Sequence, residues 1–425
     1  MYIQRVVLTN VKGFRNLDFR FSRPNSSLAG WTVLTGENGS GKTAVLKAVA
    51  IALAGPDVGR ALQPSLRGWI SDGADRAEIA VQIVPDELDK FTTGRRYEQS
   101  FWSEVELQKN GGPEVSMKPG TARRRDKKGP LNGPWAENTG GWFAVGYGPF
   151  RRLYGASTEA QRLMSGPSRV ARFATMFRED ATLAECEQWI KDLGYKKLEH
   201  KERETRILAN IFALLNDDFL RHGVSIDRVD SDGLWVRDGG GTVLPLSEMS
   251  EGYRSALALM IDIMRHLEQV YGSHQLVTTR EGHLIVENKG VVMIDEVDAH
   301  LHPAWQREIG FWLKARFPNV QFIVTTHSAL VCQAADERGI FHLPPPGSDE
   351  DPYQLNEHDY WAIVRSKADD ILLGPAFGLT HTRSPLAVEA RQDYTRLRAK
   401  KRALPLTKEE EKQLVMFSRF VAAEG

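Results

Sequence analysis

The sequence holds 425 residues, 41% apolar and 26% charged, an ordinary composition for a soluble globular chain long enough for more than one structural unit. Fifty-five basic residues balance fifty-five acidic ones, so net charge gives no general pull toward nucleic acid or anionic lipid, and two cysteines, Cys186 and Cys332, offer neither a disulfide framework nor zinc spacing. No apolar run approaches the roughly eighteen residues of a spanning helix, and the N-terminus lacks a leader's apolar block, so a reducing cytoplasm without membrane contact is the expectation.

In chain order, YIQRVVLTNVKGFRNLDFRF reads as two β segments broken at Lys12-Gly13. WTVLTGENGSGKTAVLKAVAIALAG reads as strand, glycine loop and helix, stopped by Gly55-Pro56, and RAEIAVQIV alternates as a further strand. From about 108 to 140 the chain turns polar and Gly/Pro-rich and carries RRRDKK (Arg123 to Lys128). That stretch is expected to be a loop insertion, its basic run either solvated or a contact for nucleic acid or a partner. GWFAVGYGPFRRLYG returns to a buried strand and tight turn. Residues 156–222 read as helical, with Asp180 placed to cap an amphipathic DATLAECEQWIKDL.

SIDRVDSDGLWVRDGGGTVLPL holds two β segments about an Asp232-Gly233 hairpin signal. A long apolar helix opening near Ser250, the strand VVMIDE, a helix from about Pro303 and the strand QFIVTTH follow. LPPPGSDEDP (Leu343 to Pro352) has a linker's composition, and the tail beyond it is mainly helical, with Thr407 and Glu410 forming a capping box. The expected division is 1–155, 156–222, 223–345 and 346–425.

GENGSGKT (Gly36, Glu37, Asn38, Gly39, Ser40, Gly41, Lys42, Thr43) matches G-x-x-x-x-G-K-[ST] between a strand and a helix, the context that the motif requires. Glycines let the backbone wrap a β-phosphate, Lys42 reaches the β/γ oxygens, and the Thr43 hydroxyl ligates magnesium. VVMIDE would deliver two acids to the ligand edge of a parallel sheet. Asp295 is expected to hold magnesium, directly or through water, and Glu296 to orient and deprotonate the attacking water. His327, just past the strand FIVTTH, is placed to contact the γ-phosphate.

The order glycine loop, Ser-x-Gly helix start, Asp-Glu strand and strand-His resembles the ATP-binding-cassette ATPases over most of residues 1–345. The resemblance implies an α/β fold: an ABC-type P-loop NTPase with two lobes, a helical insertion and a mainly helical C-terminal extension, using ATP and Mg2+. MSEGY (Met249 to Tyr253) stands where that superfamily has L-S-G-G-Q, with Met249 for Leu and Glu251 for Gly; VDAHLHP stands at its D-loop, with Asp298 the pertinent acid. By the same resemblance, Ser250, Glu251 and Gly252 meet the γ-phosphate of ATP held by a second subunit's glycine loop, and two ATP molecules are clamped in a homodimer.

Asn38 and the NVKGF turn are similar to the RecF, RecN and SMC branch rather than to transporters. YGPFRRL, FREDATLAECEQWIKDL, LSEMSEGYRS, DEVDAHLHPAWQ and the tail resemble stand-alone bacterial defence ATPases: those of Septu systems, those linked to retrons, and the ATPase half of overcoming-lysogenisation nucleases. The implied function is an antiphage ATPase controlling a separately encoded, HNH-type nuclease; the alternative is a RecF-like DNA repair or replication ATPase. GYGPF occupies the region of the Q-loop, and no glutamine there can be assigned its role.

No nuclease is expected in cis. DSDG (Asp230 to Gly233) is turn chemistry rather than a Toprim acid pair, His300 and His302 form only a weak metal pattern, and the residues after Pro346 are too few for a Toprim domain and lack a His-Asn-His pattern. The tail is the expected dock for a partner.

Overall fold

Alternation of apolar and polar residues at the N-terminus builds the first of two principal sheets. The computed structural model describes residues 1–94, 99–111, 114–121, 123, 128–137, 139–153, 155–165, 168–272 and 276–422. Along the chain the strands are β1 (Tyr2–Val11), β2 (Phe14–Arg20), β3 (Gly30–Thr35), β4 (Arg76–Val84), β5 (Phe101–Lys109), β6 (Val115–Pro119) and β7 (Ala144–Tyr147). Then come β8 (Ser225–Asp230), β9 (Gly233–Arg237), β10 (Val243–Pro245), β11 (Thr278–Arg280), β12 (His283–Ile285), β13 (Gly290–Ile294), β14 (Val320–Thr325), β15 (Ile340–His342) and β16 (Tyr353–Gln354).

The first sheet is antiparallel, in the order β2-β1-β4-β5-β6. Its inward side chains, among them Val6, Leu8, Leu17, Phe19, Ile79 and Val81, form one core with the apolar helix Lys42–Ala54. The second sheet runs β16-β15-β3-β14-β13-β7, parallel except at the β16 edge. Every residue of β13 and β14 is buried, which is why these strands read as apolar runs instead of alternating. The carboxyl ends of β3, β13 and β14 run into Gly36–Thr43, Asp295-Glu296 and His327, so the sheet sets all three along one edge.

Four helices, Thr158–Met164, Ser168–Phe177, Ala184–Leu198 and Glu202–Asn216, fill the stretch read as helical. The hairpin signal is met: Asp230 pairs with Gly233 between β8 and β9. Asp180 is a correction, because the helix from Ala184 has no side-chain cap; its carboxylate instead accepts from Arg178 and from Ser157. Composition also understated order in 108–140. That stretch contains β6 and the short helix Gly129–Asn132, and the Trp135 indole donates to the Ala52 carbonyl at 2.8 Å, fastening it to the Lys42 helix. Residues 124–127 of the basic run lie outside the described residues.

Two compact units divide the chain, residues 1–368 and 369–425. The segment after Pro346 therefore contributes β16 and the helix Glu357–Val364 to the first unit. The second unit is built mainly on the helices Pro385–Ala403 and Lys408–Ala422, joined by a Lys400–Glu410 ion pair of 2.6 Å. The capping box is reciprocal: the Thr407 N–H donates to the Glu410 carboxylate at 2.9 Å, and the Glu410 N–H to the Thr407 hydroxyl at 3.2 Å. Among the described residues no helix is long and apolar enough to cross a membrane.

Candidate nucleotide site

Strand β3 hands the chain to a loop that only glycine can complete. Gly41 has φ 93°, in the left-handed region, and a Cβ there would lie 2.5 Å from Cζ of Phe14. The helix Lys42–Ala54 that follows has no side-chain cap, so its first N–H groups remain directed into the loop. The Lys42 ammonium is buried and donates to the carbonyls of Gly36 at 2.8 Å and Glu37 at 2.9 Å. Burial lowers its pKa, opposed by the negative charges of Asp295, Glu296 and Asp298. The buried Ser40 hydroxyl has no hydrogen-bond partner.

The acid pair is held from the neighbouring strands. The Thr43 hydroxyl donates to one oxygen of Asp295 at 2.6 Å, and the Thr325 hydroxyl at the end of β14 donates to the other at 2.5 Å. Thr325 also accepts the Glu296 N–H at 2.7 Å. Glu296 itself has φ 47°, a left-handed conformation that costs a non-glycine residue roughly 1–3 kcal/mol unless its surroundings fix it.

A cavity of about 660 Å³ opens over these groups. Its walls are the β1–β2 turn (Lys12 to Asn16), the loop residues Asn38 to Thr43, Asp295, Glu296, His327 and the segment Pro344–Pro352. An uncapped helix start, a buried ammonium and an orphaned hydroxyl fit the phosphates of a nucleotide. The Thr43 hydroxyl and Asp295 carboxylate, hard oxygen donors in contact with each other, fit magnesium. Magnesium bound there would neutralise charge on the phosphate oxygens.

The structure thus gathers Asn38 to Thr43, Asp295, Glu296 and His327 around one cavity, with Gly36 and Glu37 joined to it through the Lys42 ammonium. Asp298 stands behind it, its carboxylate accepting from the Thr326 hydroxyl at 2.5 Å, while Gln306 donates to its carbonyl at 3.4 Å. Ser250, Glu251 and Gly252 are not part of its wall. Ser250 is the N-cap of the helix Glu251–Tyr271, exposed and making no side-chain cap bond, and Glu251 pairs with Arg254. A Cβ on Gly252 would lie 2.5 Å from the carbonyl oxygen of His300, so the turn after the acid strand packs directly on this helix start.

Two residues were not singled out by the sequence reading. Thr325, buried at the end of β14, ties Asp295 to Glu296. Arg151, 3% exposed, donates to the carbonyls of Gly148, Asp295 and Glu296 at 3.0, 2.9 and 3.0 Å. Burial pushes its guanidinium down to about 10, against the opposing pull of Asp295, Asp298 and Glu296. The available signal was an arginine placed just after a buried strand and a Gly-Pro turn. Elsewhere, Asp230 accepts the Asp232 N–H within its own turn at 3.0 Å, and among the described residues no three His, Cys, Asp or Glu side chains gather as metal ligands.

Residues 169–333 match the family described as "AAA domain, putative AbiEii toxin, Type IV TA system", and residues 5–129 match one described as "AAA domain". Septu protein PtuA of Bacillus mycoides (strain KBAB4) is 24% identical over 332 residues, covering 77% of this chain and 38% of the relative. The Retron Ec83 probable ATPase of Escherichia coli is 40% identical over 108 residues, 25% of this chain and 18% of the relative. The aligned parts therefore span well under half of these relatives' own lengths. Among solved structures, the SmcHead bound to the C-winged helix domain of ScpA gives a TM-score of 0.49 at 17% identity, covering 84% of this chain and 98% of that one.

Proposed function

We propose, from the premise that the chain is an ABC-like ATPase related to the antiphage defence ATPases, that it binds and hydrolyses Mg-ATP as the ATPase subunit of a bacterial defence system. In this reading two copies close around two ATP molecules in the cytoplasm and control a separately encoded nuclease, docked on the C-terminal helices. The observation that carries the reading is the separation between a complete phosphate cradle and an exposed signature start that lies outside the same cavity. One cavity supplies the cation, the metal donors, the acid and the histidine. The helix start at Ser250 offers free N–H groups and a hydroxyl with no in-chain cap partner, which suits a phosphate brought by a second copy.

Within the cradle, Lys42 and the loop N–H groups bind the phosphate chain, and Thr43 with Asp295 hold the metal. Glu296 orients a water in line with the terminal phosphate and accepts its proton, and His327 contacts the departing phosphoryl oxygens. Magnesium, when bound, supplies positive charge where negative charge develops on the phosphate oxygens.

Ser250→Arg is the test. Ser250 is exposed, so the substitution leaves the fold and the cradle intact, unlike a change at Gly252, which would collide with His300 in the same chain. ATP affinity measured by calorimetry should be retained while steady-state hydrolysis falls. Hydrolysis at the wild-type rate in this variant would remove the two-copy site.

A further inference from the structure

The backbone at the acid pair requires more support than its own strand supplies. Glu296 turns left-handed two residues past the end of β13, and its direction decides whether its carboxylate faces the cavity. Its N–H is fixed from one side by the Thr325 hydroxyl at the end of β14. Its carbonyl is fixed from the opposite side by Arg151, beyond the end of β7. Since β7 and β14 are the two parallel neighbours of β13, the peptides flanking Glu296 are gripped from both flanks of the sheet.

We infer that Arg151 is a positioning residue for ATP hydrolysis: its guanidinium fork, spanning the carbonyls of Gly148, Asp295 and Glu296, holds Glu296 in the left-handed turn that aims its carboxylate at the attacking water. The inference rests on the proposed ATPase reading. Arg151 is not part of the cavity wall, so it acts through the backbone and not on substrate. A planar fork is suited to this role, because one side chain must reach three carbonyl oxygens in fixed directions.

The segment carrying Arg151 is itself anchored. The Asp295 N–H donates to the Tyr147 carbonyl at 2.8 Å, continuing the β7–β13 ladder past the strand end. A Cβ on Gly148 would lie 2.4 Å from the Thr175 carbonyl oxygen, so the turn sits hard against the helix Ser168–Phe177. The carbonyl of Arg152 accepts the Leu183 N–H at 2.7 Å, fastening the turn to the helical insertion. Arg151 thus stands directly after GYGPF, which occupies the region of the Q-loop, and serves the acid pair without entering the cavity.

The experiment compares wild type, Arg151→Met, Arg151→Lys and Glu296→Gln in the full chain, measuring ATP affinity by calorimetry, steady-state turnover and thermal melting. Misdirecting a general base by about an ångström costs on the order of a hundredfold in rate. Arg151→Met should therefore lose about a hundredfold in kcat with ATP affinity near the wild-type value, and Arg151→Lys should recover part of the rate by reaching some of the carbonyls. If Arg151→Met fails to fold, Arg151→Lys decides: reduced kcat at unchanged affinity supports the inference, and wild-type kcat overturns it. Affinity, melting temperature and rate falling together in both variants would show a merely structural arginine and overturn it. Turnover lost in Glu296→Gln but retained in Arg151→Met overturns the inference alone; wild type that binds ATP without hydrolysing it removes the ATPase reading and this role with it.

Discussion

The helix start at Gly41-Lys42 and the helix start at Ser250-Glu251 share a backbone plan and differ in what surrounds it. Both leave N–H groups without a side-chain cap. The first is enclosed, with a buried ammonium, a buried serine hydroxyl and an acid pair across the cavity. The second stands at the surface, its glutamate occupied by Arg254 and its glycine pressed against His300. A helix N-terminus gives only a weak preference for anions, and cations and walls convert it into a site. By that measure the first start has the cations and walls that a phosphate needs, and the second lacks them; in the proposed two-copy arrangement the second would meet a phosphate held by the other copy.

The largest effect is expected from removing the charge at the enclosed start. Lys42→Ala should weaken ATP binding by at least about a hundredfold, because charge-assisted hydrogen bonds contribute roughly 1.5–3 kcal/mol each. Calorimetry on the folded variant checks this, and unchanged affinity would contradict the cradle. Ser250→Arg should act oppositely, sparing affinity and lowering turnover at least about tenfold if the serine meets a phosphate in the closed pair.

Thr325→Val probes the support of the acid pair beside the enclosed start. It leaves one oxygen of the buried Asp295 carboxylate and the Glu296 N–H without their partner, so stability should fall by about 1–3 kcal/mol, read by chemical denaturation. Stability within error of wild type would show that these bonds are replaced by water. The smallest effect on ATP chemistry is expected from the tail. Leu386→Glu and Met416→Glu alter exposed apolar side chains of the second unit and should leave hydrolysis unchanged while weakening co-purification with the proposed nuclease partner. Retained association would place the dock elsewhere.

How much of this was legible in the sequence follows from the range of the interactions. The glycine loop could be read because its backbone shape demands glycine at fixed spacing between a strand and a helix. The buried strands VVMID and QFIVT could be read because parallel strands covered on both faces lose their alternation. Arg151 and Thr325 could not, because what marks them is a set of hydrogen bonds to backbone far along the chain; the local signal at Arg151, an arginine after a buried strand and a Gly-Pro turn, does not say which carbonyls it reaches. Asp180 misled for the opposite reason: a local capping rule gave way to a nearby arginine and serine. The segment LPPPGSDEDP has a connector's composition, yet Pro344–Pro352 line the candidate nucleotide cavity, since proline and acidic residues suit a wall as well as a linker.

Light scattering on Glu296→Gln, with and without saturating Mg-ATP, shows whether two copies close around shared ATP, as proposed. The glutamine cannot accept the proton from water, and losing a general base costs on the order of 10²–10⁴-fold in rate. Lys42, Thr43 and Asp295 remain to hold the nucleotide. Adding ATP should shift the mass from the nucleotide-free value to twice that value, with the bound nucleotide recovered intact and, in complex with the proposed nuclease partner, DNA cutting held off. A variant that binds ATP at full occupancy and shows no change in mass would contradict it.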